Sequence, residues 1–167
     1  MIGKNYKKIA LVLTTVILFL LVSCDPSKKY EKAENEAIQN YLKANSTLNF
    51  VLQPSGLYYL EVVAGKGISP VTNDSAFVKY TGKFLDGTIF ESNASSGTAY
   101  GFIVGTRIEG FDEGLTLMKV GGKSTFLIPS KLAYGSYGSS AANSYIGGYT
   151  PLLFDVQLVK VVPYTGK

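Results

Sequence analysis

Side chains able to carry covalent chemistry are scarce in this 167-residue chain, which has no histidine and a single cysteine, Cys24. A zinc site built on His and Cys, a Ser-His-Asp triad and an intrachain disulfide are therefore excluded. What remains with chemical character is one thiol, 12 carboxylates, twelve tyrosines and nine phenylalanines. The elements that must position them are bounded by composition. Apolar residues make up 46% and charged residues 17%, a globular balance rather than that of a disordered chain. The length suits about one domain with extensions, and eighteen glycines beside the tyrosines point to a β-rich fold with many tight turns.

Cys24 has a particular setting. Lys4, Lys7 and Lys8 precede a run from Ile9 to Val22 that is apolar except for Thr14 and Thr15. The run is short of the ~20 residues a spanning helix needs and fits the apolar region of a secretory signal. It ends in Leu21-Val22-Ser23-Cys24, which resembles a bacterial lipobox, with Cys24 the residue to be lipidated; the competing reading is a short membrane helix with an incidental cysteine. Residues 1–23 would then be removed and the rest tethered to a membrane of the bacterial cell envelope, on a periplasmic face or at the surface. Removal also changes the charge. The formal +4 of 16 basic and 12 acidic residues loses three lysines, leaving 13 basic residues against 12 acidic. No basic stripe remains, which argues against nucleic acid as a partner.

Residues 24–50 read as a tether and a helix. Lys28 to Asn45 contains strong helix formers without Gly or Pro, and Tyr30, Ala33, Ala37, Ile38, Tyr41 and Leu42 recur at spacings of three and four. So narrow a stripe fits a spacer helix packed loosely on the domain, or a contact helix for a partner or a second copy in a homodimer. Residues 51–163 read as the domain. Strands are expected at Leu57–Val63, Ala76–Phe84, Thr88–Glu91, Tyr100–Val104, Lys123–Pro129 and Leu152–Val162, with Asp86-Gly87 as a hairpin turn. Phe111, Leu115 and Met118 share one face of a helix over Phe111–Met118, stopped by Gly121-Gly122. Ser130 to Thr150 reads as a long loop, a kind that is more often functional than idle.

Four segments in order carry a family resemblance: Val78-Lys79-Tyr80-Thr81-Gly82; Asp86-Gly87-Thr88-Ile89-Phe90-Glu91-Ser92; Ile108-Glu109-Gly110-Phe111-Asp112-Glu113-Gly114-Leu115; and Leu132-Ala133-Tyr134-Gly135 followed by Pro151-Leu152-Leu153-Phe154-Asp155-Val156. Over about residues 55–162 the chain resembles the FKBP-type peptidyl-prolyl cis-trans isomerases. The resemblance implies an α+β fold, a curved antiparallel sheet wrapped over one short helix, here preceded by an N-terminal helix. It implies catalysis of X-Pro isomerisation in exported polypeptides, with proline-containing clients and no cofactor or metal.

That reaction suits the inventory. Rotation about the amide faces a barrier of ~18–20 kcal/mol because resonance must be broken. The twisted state is less dipolar than the planar amide, so an apolar, water-poor pocket favours it. By resemblance, Tyr80, Phe90, Phe111 and Phe154 would line the proline pocket, with Tyr100 and Ile146 at its rim. Ile108 would offer its backbone N–H and Tyr134 its hydroxyl to substrate carbonyls, and Glu91 would stand near the twisting amide. Periodicity alone fits Phe90, Phe111 and Phe154 equally to an ordinary β-rich core, and Tyr80 and Tyr134 to half-buried tyrosines serving local backbone groups. The chain also departs from the family pattern. Glu91 replaces an aspartate and Phe111 a common tryptophan; Ser95-Ser96 stand where an arginine often pairs with the acid; Thr106-Arg107 form a shortened rim before Ile108; and Gly147-Gly148 suggest a mobile flap. These departures keep a second reading open, a peptide-binding chaperone or scaffold lipoprotein on the same fold with little or no catalysis.

Overall fold

The computed structural model describes residues 26–141 and 144–166, so the signal-like segment and Cys24 lie outside the described residues. The elements in chain order are α1 (Pro26–Ala44), β1 (Val51–Leu52), β2 (Tyr58–Val63), β3 (Ser75–Lys83), β4 (Ile89–Ser92), β5 (Tyr100–Ile103), α2 (Glu109–Leu117), β6 (Lys123–Ile128), a 3-10 turn (Ser130–Leu132), β7 (Ser139–Ala141), β8 (Ser144–Ile146) and β9 (Leu152–Val162). The main sheet runs β1-β2-β6-β9-β3-β4, with β5 also on β3, and every pairing is antiparallel.

Successive side chains of a strand face opposite sides, and here both sides of the sheet are used. Phe126 pairs with Phe154 and Leu127 with Leu153. The phenylalanines belong to the main core with Leu57, Val78, Phe111, Leu115, Met118 and Ile128. Leu127 and Leu153 form a second cluster with Ile38 of α1. The sheet therefore carries α2 on one face and α1 on the other.

The expected face of α2 holds: Phe111, Leu115 and Met118 are all buried. The helix lies so close to the sheet that a Cβ on Gly114 would stand 2.7 Å from the Phe126 ring. Glycine at this position admits the backbone where any other residue would push helix and sheet apart.

α1 is packed more firmly than its narrow stripe suggests. Ile38 is buried, and Tyr41, Leu42, Phe50, Tyr58 and Leu85 pack around its cluster. Burying an isoleucine contributes ~1.5–3 kcal/mol. Farther along, both carboxylate oxygens of Glu34 accept hydrogen bonds from Ser130, one from its backbone N–H at 2.5 Å and one from its hydroxyl at 2.7 Å. Tyr30 stacks on Tyr149 with ring centroids 5.4 Å apart. The helix is thus a docked layer of the fold, not a loose spacer.

The Ser130–Thr150 segment is also more ordered than a long loop. It contains the 3-10 turn and the β7–β8 hairpin. The Gly135 N–H donates to Ser130 O, the Gly138 N–H to Tyr134 O and the Tyr149 N–H to Gly135 O. A Cβ on Gly148 would meet the Ser136 carbonyl oxygen at 2.0 Å. That glycine serves a close backbone crossing, which is the opposite of the free flap its sequence suggests.

Candidate active site

The site begins as a gap in the sheet. β3 pairs with β9 along its whole length on one edge, while its other edge is shared: Ser75–Val78 pair with β5 and Thr81–Lys83 with β4. Lys79 and Tyr80 are left between the two. Backbone groups at such a gap need partners, and Asn93 supplies them. The Tyr80 N–H donates to Asn93 Oδ1 at 2.6 Å, Asn93 Nδ2 donates to Val78 O at 3.0 Å, and the Asn93 N–H donates to Tyr80 O at 3.0 Å. One asparagine stands in for a missing stretch of strand and holds β4 and β5 apart. Through the opening, Tyr80 reaches a cavity of about 330 Å³.

Tyr80, Glu91, Tyr100, Ile108, Phe111, Tyr134 and Phe154 line it, together with Ser92, Asn93, Phe102 and Arg107. The floor is aromatic. Phe111 and Phe154 meet edge to face at 5.1 Å, Tyr80 packs on Phe111 at 5.9 Å and on Phe154 at 6.2 Å, and Phe102 packs on Phe111 at 5.8 Å. Such tilted and edge-on pairs are the favoured arrangements of aromatic rings. Phe90 stands behind this floor, packed on Phe154 at 5.6 Å and on Phe84 at 5.2 Å, and does not line the cavity. Ile146 is buried among the core residues and is not among the lining side chains either.

Polar groups punctuate the apolar wall. The Tyr80 hydroxyl donates a short hydrogen bond to Glu91 Oε1. Burial pushes the Tyr80 phenol well above its ordinary value near 10, and the carboxylate it bonds adds to the effect. Burial likewise raises Tyr134, with the Glu91 charge acting in the same direction. The Tyr134 hydroxyl has no hydrogen-bond partner among the described residues. Ile108 precedes the first turn of α2 in extended conformation, φ −61° and ψ 142°, and its carbonyl accepts from the Phe111 and Asp112 N–H groups. Its own N–H donates to no protein group among the described residues, as befits the first position of a helix. An apolar cavity with two unengaged donors, one O–H and one N–H, can hold a small apolar ring and bind carbonyl oxygens beside it.

Three lining residues besides Ser92 were not assigned to the site in the sequence reading. Phe102 lies two positions from Tyr100 in a strand, so the period-two pattern would have put it on the same face. Arg107 was visible only as part of a shortened rim. Its guanidinium lies 5.4 Å from the Tyr100 ring centroid and 5.0 Å from that of Phe102, and its Nη2 donates to the Tyr100 hydroxyl at 3.3 Å. Asn93 has no motif, because its role depends on where two other strands end.

A curved antiparallel sheet, one helix across its concave side and an aromatic cavity at the strand gap together define a domain with a site able to hold a small apolar ring. The sequence pattern of the FKBP-type peptidyl-prolyl cis-trans isomerases matches residues 66–159, and the chain belongs to that family. Over 131 residues it is 40% identical to a probable FKBP-type peptidyl-prolyl cis-trans isomerase FkpA of Neisseria meningitidis, a match covering 78% of this chain and 47% of the relative. It is 37% identical over 142 residues to the outer membrane protein MIP of Legionella longbeachae, covering 83% of this chain and 58% of the other. The crystal structure of FkpA from Escherichia coli superposes with a TM-score of 0.72 at 28% identity, covering 97% of this chain and 74% of that one. The chain spans about half the length of the first curated relatives it matches.

Proposed function

We propose that this chain is a prolyl isomerase that catalyses cis-trans rotation of X-Pro bonds in exported polypeptides. The observation that carries the reading is the aromatic cavity with its two unengaged donors, Ile108 N–H and Tyr134 O–H. The proline ring sits among Tyr80, Phe111 and Phe154, out of water. As the amide twists, its nitrogen loses conjugation with the carbonyl and the bond dipole shrinks, so a site that solvates dipoles poorly lowers the barrier relative to water. Ile108 and Tyr134 hold the flanking carbonyl oxygens, which fixes one side of the bond while the other turns. Glu91, engaged by the Tyr80 hydroxyl, fixes that phenol as a wall of the pocket. Phe90 acts from behind by keeping Phe154 in place. Tyr100 closes the rim, and Ile146 supports the loop that carries Tyr134. No step needs a metal, cofactor or nucleophile.

The proposal extends to organisation. Residues 1–23 act as a lipoprotein signal, Cys24 receives the lipid, residues 24–50 form tether and helix, and residues 51–163 form the isomerase domain. The lysines, apolar run and Leu21-Val22-Ser23-Cys24 support this, and one relative bears an outer-membrane name. Clients are proline-containing polypeptides refolding after export, where isomerisation limits folding to ~10–100 s. A second copy would have to use the polar face of α1, since Ile38, Tyr41 and Leu42 pack on the chain's own domain.

Turnover of short X-Pro peptides tests the reading, with a macrolide ligand of the family titrated alongside. Turnover well above the uncatalysed rate and suppressed by the ligand supports catalysis. Binding without turnover would refute it and leave peptide recognition. For the anchor, incorporation of labelled fatty acid that is lost in Cys24→Ala is expected; equal labelling of both proteins would remove the lipid assignment.

A further inference from the structure

Arg107 is a cation at the wall of a pocket with an aromatic floor, and no carboxylate among the described residues forms an ion pair with it. The ion pairs among the described residues are Lys32 with Glu36 and Lys83 with Asp155. Glu91, the acid in the same cavity, accepts from the Tyr80 hydroxyl and forms no ion pair with Arg107. Arg107 instead rests over the rings of Tyr100 and Phe102, and one of its nitrogens donates to the Tyr100 hydroxyl. Stacking on two rings holds the guanidinium plane in place and leaves most of its five N–H donors unengaged. Its backbone is fixed as well: the Arg107 N–H donates to Asp112 Oδ2 at 2.8 Å. The next residue is Ile108, which lines the same cavity and whose N–H donates to no protein group among the described residues.

We infer that Arg107 selects clients with an acidic residue next to the proline. The inference rests on the isomerase reading and names its substrate class. A substrate carbonyl bound at the Ile108 N–H sets a residue flanking the proline beside the Tyr100–Arg107 rim. A carboxylate there meets a planar donor already held in place, so little rotamer freedom is lost on pairing. A lysine at the same position meets a like charge and must keep away. Arg107 is exposed to solvent, so the pairing is screened and its effect is modest.

The test is the rate of isomerisation, as kcat/KM, of one peptide frame with Glu, Gln, Leu or Lys either before or after proline, using the full chain in detergent at low and at moderate salt; the position with the larger Glu-to-Gln ratio reports on Arg107. The Glu-to-Gln ratio within one preparation is unaffected by the fraction of folded enzyme. It should be about 2–5 at low salt, with Lys below Gln, and should shrink as salt is added. In Arg107→Met, which keeps a long apolar stem over the rings, the ratio should fall to about one, and in Arg107→Lys part of it should return. A wild-type ratio at or below one at both positions overturns the inference, and so does an Arg107→Met protein that slows all the peptides equally and keeps the ratio. Turnover of the Leu peptide with a flat charge ratio refutes the acidic preference alone. Absence of turnover on every peptide refutes the isomerase reading and this inference with it.

Discussion

Tyr134 brings a single hydroxyl to the cavity and spends it on no protein group among the described residues. Tyr134→Phe should therefore leave the fold intact and lower kcat/KM by the worth of one hydrogen bond, ~0.5–1.5 kcal/mol or a few-fold. An unchanged rate would remove its role as a donor. Phe154 is a different case, because it is at once cavity floor, β9 residue and contact of Phe90, Phe111 and Tyr80. Phe154→Ala should cost ~3–5 kcal/mol of stability as well as activity. A denaturant midpoint close to wild type would show that the surrounding rings do not depend on it. The aromatic floor was legible in the sequence only through the order of motifs, since Phe111 and Phe154 sit on faces that any core would use. Phe102 was within reach of the period-two pattern of β5, whereas Arg107 belongs to no motif and its place depends on how a shortened rim folds back over β5.

Between residue and molecule stands α1. Its apolar stripe is too narrow to announce docking, and the contacts that dock it are partly polar: the Glu34 carboxylate on Ser130 and the Tyr30 ring on Tyr149. Polar contacts across 96 residues of sequence leave no periodic trace. Ile38→Ala should lower stability by ~2–5 kcal/mol, read as a shifted urea midpoint. A shift near zero would mean that the helix packs too loosely to matter. The strands, by contrast, were readable as runs of β-branched and aromatic residues between turn signals such as Asp86-Gly87. The β7–β8 hairpin was not, its two strands of three residues each, Ser139–Ala141 and Ser144–Ile146, being too short to show an alternation. β1 was not either, since two residues are too few to show a period.

Across the whole molecule, folding changes how four phenols titrate. Burial raises Tyr41, Tyr59, Tyr80 and Tyr134 above the ordinary tyrosine value near 10. The folded chain therefore holds these protons more tightly than the unfolded chain. Their contribution to stability is whole below pH 10 and is lost as the pH rises through the raised folded-state values, because the unfolded chain ionises them first. The urea midpoint should fall between pH 9 and pH 11, together with a delayed rise in phenolate absorbance for part of the tyrosine population. A midpoint independent of pH over that range would mean that these phenols ionise alike in both states.

The firm seating of α1 also governs geometry at a larger scale. Cys24 stands two positions before the helix begins at Pro26, a stretch that can span no more than ~7 Å. With the lipid attached at Cys24, as proposed, the domain has almost no leash. A helix pinned by Ile38, Glu34 and Tyr30 would work as a rigid stalk, and the pocket would keep a nearly constant height and bearing above the bilayer. Its working volume would be a thin shell against the membrane, so that nascent chains leaving that surface come within its reach while polypeptides deeper in the compartment do not.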